Sequence, residues 1–344
     1  RYMDAVPDSA VCNEAVKLAK RHKFAQLSGF VNGVLRNIAR NIDSVQFDTL
    51  SIRYSMPQWI VDRFVAAYGE KKAEEIFKAF HNKSTISIRT NLTRCTPDEL
   101  RAMLEAEGVT VTAVDELNYA FVISGFDYLN GLQSFRDGLF YVQDISSMLV
   151  AQTAAPKKGD YVIDVCAAPG GKSTHIAELL QGSGHVLARD LTDNKVDMIE
   201  ENIERHGLNN MSAEVWDATV PDADSAGKAD ILICDLPCSG LGVLGRKKDI
   251  RYKMTPESVD ELAALQRQIL DTVHTYVKPN GVLVYSTCTI DEAENEDNVR
   301  WFIEKHPEFE LDKSFAEGTG MKQILPGEHG SDGFFIARFI KSKL

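Results

Sequence analysis

The chain has 344 residues, of which 44% are hydrophobic and 26% are charged, and its formal net charge is −12. This composition is typical of soluble globular domains, and the length predicts two or three of them. No stretch approaches the roughly 20 apolar residues that a membrane-spanning helix needs, which excludes an integral membrane protein and favours a cytoplasmic location.

The six cysteines, at positions 12, 95, 166, 234, 238 and 288, have no regular spacing. A disulfide framework or a zinc ribbon would space them in recurring pairs, so we expect reduced thiols and no bound metal. The negative net charge does not exclude a nucleic-acid partner, because a local basic patch can bind phosphate on an acidic protein.

Residues 1–45 are predicted to be helical, because apolar residues recur every three or four positions through 10–42. Two helices bury too little apolar surface to be stable alone. We therefore interpret this segment as the end of a larger helical domain.

Residues 46–145 are predicted to form a small α+β domain. Amphipathic helices are expected at 57–69, 70–82 and 97–108, the last with Pro97 in its first turn. Strands are expected in the β-branched and aromatic stretches at 84–91, 109–114, 119–125 and 138–144. Strands interleaved with helices at this size favour a ferredoxin-like or RRM-like sheet.

Residues 146–344 show a regular alternation of short apolar strands and helices. Strands are expected at 161–167, 185–190, 213–217, 229–235, 281–287 and 333–341, and helices at 172–181, 193–206 and 256–277. This alternation predicts an α/β domain with a doubly wound, Rossmann-like parallel sheet.

Acidic and thiol side chains follow the ends of these strands. Ligands of an open parallel sheet bind outside the carboxyl ends of its strands. A single aspartate there can simply cap the next helix, but four aspartates and two cysteines together predict a ligand site. The candidate residues are Asp164, Asp190, Asp217, Asp235, Cys238 and Cys288.

The glycine-rich turn from Cys166 to Lys172 is not a phosphate-binding P-loop, because the first glycine of that motif would fall on Cys166. A nucleoside cofactor fits the turn better. Glycines allow close backbone approach, and Asp190 can accept hydrogen bonds from ribose hydroxyls. S-adenosylmethionine has this chemistry, and Asp217 could accept from its adenine amino group.

Cys238 and Cys288 follow the fourth and fifth predicted strands, which are neighbours in the usual doubly wound order. Carbon 5 of a cytosine or uracil is a poor nucleophile until a group adds to carbon 6, and a thiolate suits that addition. Buried cysteines are more often small core residues, which is our interpretation of Cys12, Cys95, Cys166 and Cys234. The polar turns around Cys238 and Cys288 favour a chemical role instead.

The segment 246–253 concentrates basic residues, and it predicts contact with the phosphates of a nucleic acid. The alternative is an ordinary solvated loop. The candidate RNA-binding residues are Arg246, Lys247, Lys248, Arg251 and Lys253.

Three motifs, CAAPGGK at 166–172, DLPCSG at 235–240 and STCT at 286–289, resemble those of the RsmB/Sun (Fmu) family of RNA cytosine-5 methyltransferases. The similarity covers most of the chain and includes QDISSM at 143–148 and LPGEHGSDGFFIA at 325–337. Residues 10–42 resemble the C-terminal part of a NusB-like RNA-binding domain. One departure is Leu236, where the family usually has alanine, and the larger side chain is expected to alter the shape of the base pocket.

The resemblance implies a role for each candidate residue. Cys288 would attack carbon 6 of cytosine, and Cys238 would assist release of the methylated base. Asp235 would hydrogen-bond the base, or contact the cofactor. S-adenosylmethionine would be held, with no metal, by Cys166, Ala167, Ala168, Pro169, Gly170, Gly171, Lys172, Asp190, Asp217 and Asp235.

The implied function is methyl transfer to carbon 5 of a cytosine in RNA, with small-subunit (16S) ribosomal RNA as the expected substrate and a monomer as the expected state. Transfer RNA or large-subunit ribosomal RNA is an alternative substrate. An inactive RNA-binding factor in ribosome assembly is an alternative of another class, but such a protein would normally have lost a thiol or the cofactor turn.

Overall fold

The first 56 residues and the remainder of the chain form separate units. The computed structural model describes residues 6–44, 47–82 and 85–343. The two units are Arg1–Met56 and Pro57–Leu344. The boundary expected at residue 45 falls outside the described residues.

The first unit is helical, as the periodicity of its apolar residues predicts. It contains α1 (Asp8–Arg21), α2 (Ser28–Asn41) and the short α3 (Leu50–Arg53). The Thr49 side chain caps α3 by accepting from the Ile52 N–H at 3.3 Å.

The second unit begins with the predicted α+β subdomain. Its elements are α4 (Gln58–Tyr68), α5 (Glu70–Ala79), β1 (Ile86–Thr90), α6 (Pro97–Ala106), β2 (Thr110–Val114), β3 (Leu117–Ser124), α7 (Gln133–Arg136) and β4 (Phe140–Val142). Helix α6 starts with a capping box between Thr96 and Glu99 and with Pro97 in its first turn. The four strands form an antiparallel sheet in the order β2-β3-β1-β4, which confirms the ferredoxin-like prediction.

The rest of the second unit is a doubly wound α/β sheet. Its elements are α8 (Ile145–Ala154), β5 (Tyr161–Asp164), α9 (Gly171–Leu179), β6 (His185–Asp190), α10 (Asp193–His206), β7 (Met211–Val215), β8 (Ala229–Asp235), α11 (Ile250–Lys253), α12 (Pro256–Val273), β9 (Val277–Thr287), α13 (Glu296–Lys305), β10 (Phe309–Leu311), β11 (Met321–Ile324) and β12 (Phe334–Lys341). The strand order is β10-β12-β9-β8-β5-β6-β7, with β11 also paired to β12. Strands β5 to β9 are parallel, which confirms the Rossmann-like prediction.

Side chains of each central strand alternate between two buried clusters. On β8, Leu232 and Cys234 belong to one cluster with residues of α12 and α13, such as Ile269 and Phe302. Ile231 and Ile233 belong to the other cluster, with residues of α8, α9 and α10. The sheet is therefore buried on both faces. A ligand site can form at the carboxyl ends of its parallel strands.

Several expected boundaries differ from the structure. Strand β5 ends at Asp164, three residues before the expected end, and β9 begins at Val277, four residues before the expected start. Strand β7 ends at Val215, so Asp217 lies in the turn beyond it. Helix α12 ends at Val273, where a 3₁₀ turn leads directly into β9. Tyr276 and Val277 are buried in the core, so the apolar pattern continues across the end of the helix and does not mark it.

A buried ion pair joins the ferredoxin-like sheet to the α/β sheet. Arg89 of β1 is 1% exposed and donates to Glu178 of α9 at 2.8 Å. It also donates to the Gly171 carbonyl at 2.9 Å. The ferredoxin-like subdomain therefore contacts α9, the helix that begins at the glycine-rich turn.

None of the helices in the described residues is long and apolar enough to cross a membrane.

Candidate active site

The glycine-rich turn between β5 and α9 is held by backbone hydrogen bonds. The Ala167 N–H donates to the Arg189 carbonyl at 2.9 Å, and the Gly170 N–H donates to the Ala167 carbonyl at 2.6 Å. Gly170 has a φ of 99°, a left-handed conformation that favours glycine, and it precedes the first residue of α9. The turn therefore lies along the carboxyl end of β6.

Asp190 ends β6 and is 4% exposed. Its carboxylate accepts from the Ala168 N–H at 2.9 Å, the Leu191 N–H at 2.7 Å and the Lys195 ammonium at 2.8 Å. The predicted cofactor acid thus also shapes the turn that it faces.

Asp217 is placed differently from Asp190. It is exposed, and its carboxylate accepts from the N–H and hydroxyl of Thr219 at 2.8 and 2.7 Å. These two hydrogen bonds lower the pKa of Asp217. The carboxylate is therefore available in its charged form at the end of β7, beside the other strand ends.

Lys172 and Asp235 form an ion pair between the turn and the end of β8. The Lys172 ammonium lies 2.7 Å from Asp235 Oδ2, and their side chains are 14% and 27% exposed. The other Asp235 oxygen accepts from the Ser286 hydroxyl at 2.8 Å. Because Ser286 lies on β9, this network joins α9, β8 and β9 and places a partly buried cation among their ends.

The two candidate thiols are neighbours. Strands β8 and β9 pair in parallel, with Asp235 opposite Ser286. The sulfur atoms of Cys238 and Cys288 lie 3.2 Å apart. The structure thus brings together both thiols, the acid and Lys172, four residues that the sequence places in three separate motifs.

The two sulfur atoms differ in acidity. The hydrogen bond with Cys238 lowers the pKa of Cys288. Burial and the Asp235 charge oppose this shift, and the Lys172 and Lys247 ammonium groups support it. The same hydrogen bond and burial raise the pKa of Cys238 well above its ordinary value. The opposite directions of the two pKa shifts favour Cys288 as the more acidic thiol of the pair.

The remaining cysteines and Leu236 pack in the protein. Cys12, Cys95 and Cys234 are buried, and Cys166 packs against the core that contains Cys234. Leu236 is 4% exposed and belongs to the same core. Its isobutyl group therefore packs in the core, and the expected effect on the shape of the base pocket stays a prediction.

The basic residues of the segment 246–253 differ in their contacts with the rest of the protein. Arg246 pairs with Asp144 at 2.9 Å and with Asp332 at 2.5 Å, and Arg251 is 5% exposed. Lys247, Lys248 and Lys253 are exposed. The two arginines thus contact neighbouring segments, Lys247 and Lys248 are exposed, and Lys253 pairs with Asp249 at 2.7 Å. Contact of the segment with RNA stays a prediction.

Sequence reasoning did not find the residues that hold the thiol-bearing loops. Glu294, Asn295 and Gln266 are fully buried and bond to these loops. The available signal was the polar stretch that follows the STCT motif, because polar residues after a buried strand of a parallel sheet lie at its binding edge.

A separate cluster contains possible metal ligands. Atoms of Asp271, His274 and His306 lie within 4.8 Å of one another. Asp271 already pairs with Lys305 at 2.9 Å. The cluster lies at the C-terminal ends of α12 and α13, outside the set of thiols and acids described above, and the expectation that no metal takes part stays a prediction.

Family models match all three parts of the chain. The model described as 16S rRNA methyltransferase RsmB/F matches residues 151–340. A ferredoxin-like domain model of RsmF/B-like methyltransferases matches residues 56–126, and the NusB family model matches residues 1–40.

Curated relatives and solved structures are similar to this chain over most of its length. The probable ribosomal RNA small subunit methyltransferase B of Bacillus subtilis is 38% identical over 99% of this chain and 80% of its own. The ribosomal RNA small subunit methyltransferase B of Shewanella oneidensis is 31% identical over the same shares. A methyltransferase homolog protein from Pyrococcus horikoshii is 26% identical, with a TM-score of 0.71 over 85% of this chain and 97% of that one. The chain therefore belongs to the RsmB/F family of 16S rRNA methyltransferases.

Proposed function

We propose that this protein transfers a methyl group from S-adenosylmethionine to carbon 5 of a cytosine in small-subunit ribosomal RNA, through a covalent bond between Cys288 and the base. The observation that carries the proposal is the 3.2 Å separation of the Cys238 and Cys288 sulfur atoms, at the ends of adjacent parallel strands. A methyltransferase acting on an already nucleophilic atom has no use for two adjacent thiols.

The turn at 166–172 and the end of β6 fit the methyl donor. Asp190 is an acceptor-rich carboxylate whose Lys195 partner is half exposed and can be displaced by ribose hydroxyls. The 2.9 Å hydrogen bond from the Ala168 N–H keeps that carboxylate against the turn. When bound, S-adenosylmethionine supplies an electrophilic methyl group. Another solved structure on this fold, NSun6 from Pyrococcus horikoshii with SFG, is 24% identical with a TM-score of 0.75 over 84% of this chain and 99% of that one.

Cys288 begins the reaction because it is the more acidic thiol of the pair. Its thiolate adds to carbon 6 of cytosine and forms a C–S bond, and the electron pair displaced from the C5–C6 double bond makes carbon 5 nucleophilic. Asp235 and Lys172, 2.7 Å apart, are placed beside this thiol. Asp235 can accept from the exocyclic amine or from a protonated ring nitrogen, which stabilises the adduct as it forms.

Cys238 is suited to the release step. In the free protein the hydrogen bond with Cys288 raises the pKa of Cys238. Once the Cys288 sulfur is a neutral thioether, this cause is removed and Cys238 can lose its proton to solvent water more easily. The Cys238 thiolate, directly or through water, then takes the carbon 5 proton, and the C6–S bond breaks to restore the Cys288 thiolate.

The RNA substrate is inferred from the relatives and from the charge of the surface. The curated relatives are named for the small ribosomal subunit. Lys247, Lys248 and Lys253 are exposed on the segment that follows the Cys238 loop. Since Lys247 also lowers the pKa of Cys288, its charge lies near the reacting sulfur, where a phosphate beside the target base would lie.

The experiment is methyl transfer from labelled S-adenosylmethionine to unmodified 16S rRNA, 23S rRNA and transfer RNA, followed by bisulfite sequencing of each product. We expect one 5-methylcytosine in 16S rRNA and none with the Cys288→Ala variant. Bisulfite sequencing of ribosomal RNA from a strain lacking the protein should show the same position unmodified.

Other outcomes would replace parts of the proposal. A 5-methylcytosine in transfer RNA or 23S rRNA alone would retain the chemistry and overturn the substrate. RNA binding without methyl transfer would favour an assembly factor. A methyl group on another atom, detected by mass spectrometry of the nucleosides, would overturn the covalent mechanism.

A further inference from the structure

The loops that carry the two thiols are each held by one of two consecutive residues, Glu294 and Asn295. Both residues are 0% exposed, in the segment just before α13. Neither touches a sulfur atom in the hydrogen-bond network.

Glu294 holds the loop that contains Cys238. Its Oε1 accepts from the Ser239 N–H at 2.8 Å, and its Oε2 accepts from the Ser239 hydroxyl at 2.5 Å. Gln266 braces the same loop, because its side-chain N–H group donates both to Glu294 at 3.0 Å and to the Pro237 carbonyl at 2.8 Å. The residues on both sides of Cys238 are therefore fixed by this carboxylate and its amide partner.

Asn295 holds the loop that contains Cys288. Its Oδ1 accepts from the Thr287 hydroxyl at 2.6 Å, and its Nδ2 donates to the Thr289 carbonyl at 3.1 Å. These two threonines flank Cys288 in the chain. Gln323 accepts the second amide hydrogen at 3.0 Å, which fixes the orientation of the amide.

We propose that Glu294 and Asn295 are the positioning residues of the thiol pair, with Glu294 setting the place of Cys238 and Asn295 the place of Cys288. Because they are adjacent in the chain, one short segment sets the separation of the two sulfur atoms. The role in turnover rests on the proposed function, whereas the positioning itself is a property of the free protein. Misplacement of a reacting group by about 1 Å can cost a hundredfold in rate.

The charge of Glu294 adds to this arrangement. Its carboxylate raises the pKa of Cys238, as one of several causes after the hydrogen bond with Cys288 and burial. Glu294 therefore also favours the protonated form of the thiol that does not attack.

The test compares Glu294→Ala and Asn295→Ala with Glu292→Ala. Glu292 is an exposed glutamate of the same segment, with 60% of its side chain accessible, and serves as the matched control. We expect Glu294→Ala to accumulate a denaturation-resistant protein–RNA adduct, as Cys238→Ala would, with kcat lowered by roughly tenfold to a hundredfold. Asn295→Ala in the Cys238→Ala background should lower the adduct yield, and Glu294→Ala there should not change it.

Labelling of the RNA-free protein with iodoacetamide separates the positioning from the reaction. We expect Glu294→Ala to change the labelling rate of Cys238 and Asn295→Ala that of Cys288, as measured for each peptide by mass spectrometry. If neither Cys238→Ala nor Cys288→Ala traps RNA, the covalent function is overturned while this measurement stays intact. Labelling rates equal to those of Glu292→Ala would overturn the positioning role.

Two further variants distinguish the loss of positioning from a folding defect. Thermal melting of each variant would reveal such a defect. Glu294→Gln keeps the acceptor for the Ser239 N–H, so it should restore turnover and abolish the adduct that Glu294→Ala accumulates. Ser239→Ala removes the hydroxyl hydrogen bonds to Glu294 and Thr289 but keeps the backbone N–H bond to Glu294, so it should accumulate an intermediate amount of adduct. Adduct levels in Glu294→Gln equal to those of Glu294→Ala, or none above wild type in Ser239→Ala, would overturn the proposal.

Discussion

The sulfur atoms of Cys238 and Cys288 lie 3.2 Å apart and share one hydrogen bond. A shared hydrogen bond between two thiols favours one thiolate and one thiol, since ionising both would place two negative charges side by side. The Lys172 cation is one of the causes that lower the pKa of Cys288, whereas the pKa of Cys238 is raised. In the proposed mechanism this difference favours Cys288 as the thiol that attacks first.

The first prediction concerns the replacement of each of the two cysteines by alanine. Cys288→Ala removes the attacking sulfur, so no covalent protein–RNA complex should form. Cys238→Ala leaves attack and methyl transfer possible but slows release, so the complex should accumulate. Each variant is incubated with RNA and S-adenosylmethionine and run on a denaturing gel, where a slow band sensitive to nuclease identifies the complex.

Cys234→Ala is the matched control for this pair, because Cys234 is a buried cysteine of β8 within the core. It should turn over without accumulating the complex. A slow band for Cys288→Ala and none for Cys238→Ala would mean that the two roles are exchanged. Full activity in both variants would assign both thiols to packing alone.

The second prediction concerns the pH dependence of Cys288. The hydrogen bond from Cys238, then the Lys172 cation, lower the pKa of Cys288. Alkylation of Cys288 by iodoacetamide should therefore begin at a lower pH than for an ordinary cysteine. Lys172→Met removes a positive charge that favours the thiolate, so the alkylation profile should move to higher pH.

Lys158→Met is the control for that shift, because Lys158 is an exposed lysine in the loop before β5. It should leave the alkylation profile of Cys288 in place. A profile that Lys172→Met does not move, or moves to lower pH, would show that the Lys172 cation does not stabilise the thiolate.

The third prediction concerns cofactor affinity. Asp190→Ala removes the carboxylate at the end of β6, so the Ala168 N–H loses its hydrogen-bond acceptor. Hydrogen bonds to a charged group are worth about 1.5–3 kcal/mol, so affinity for S-adenosylmethionine should fall by roughly tenfold to a hundredfold. Isothermal calorimetry measures this, with Asp193→Ala, an exposed acid of α10, as the control. Equal affinity in the two variants would exclude Asp190 from the site.

The fourth prediction separates the two kinds of basic residue in the segment 246–253. Lys247→Ala with Lys248→Ala should weaken RNA binding and lower the salt dependence of the affinity by about 0.7–0.9 in slope for each RNA phosphate that is no longer neutralised. Arg246→Ala should instead lower the free energy of unfolding by about 1.5–3 kcal/mol, because Asp144 and Asp332 lose their shared partner. Salt-dependent binding and urea unfolding measure the two effects. An unchanged salt slope would make the lysines a solvated surface only.

The sequence by itself determined the layered fold and the edge on which the site lies. Apolar periodicity and chain order are local properties, and they predicted the ferredoxin-like subdomain and the doubly wound sheet. Since parallel strands end at a common edge, the positions of Asp190, Asp235, Cys238 and Cys288 in the chain already placed them along it.

Only the tertiary structure decided which side chains meet. The ion pairs of Arg246 with Asp144 and Asp332 depend on segments 102 and 86 residues away in the chain. The support of both thiol loops by Glu294 and Asn295 depends on how the segment before α13 packs under β8 and β9. Hydrogen bonds are made or broken within a few tenths of an ångström, and packing between distant segments, which no local periodicity encodes, sets those distances.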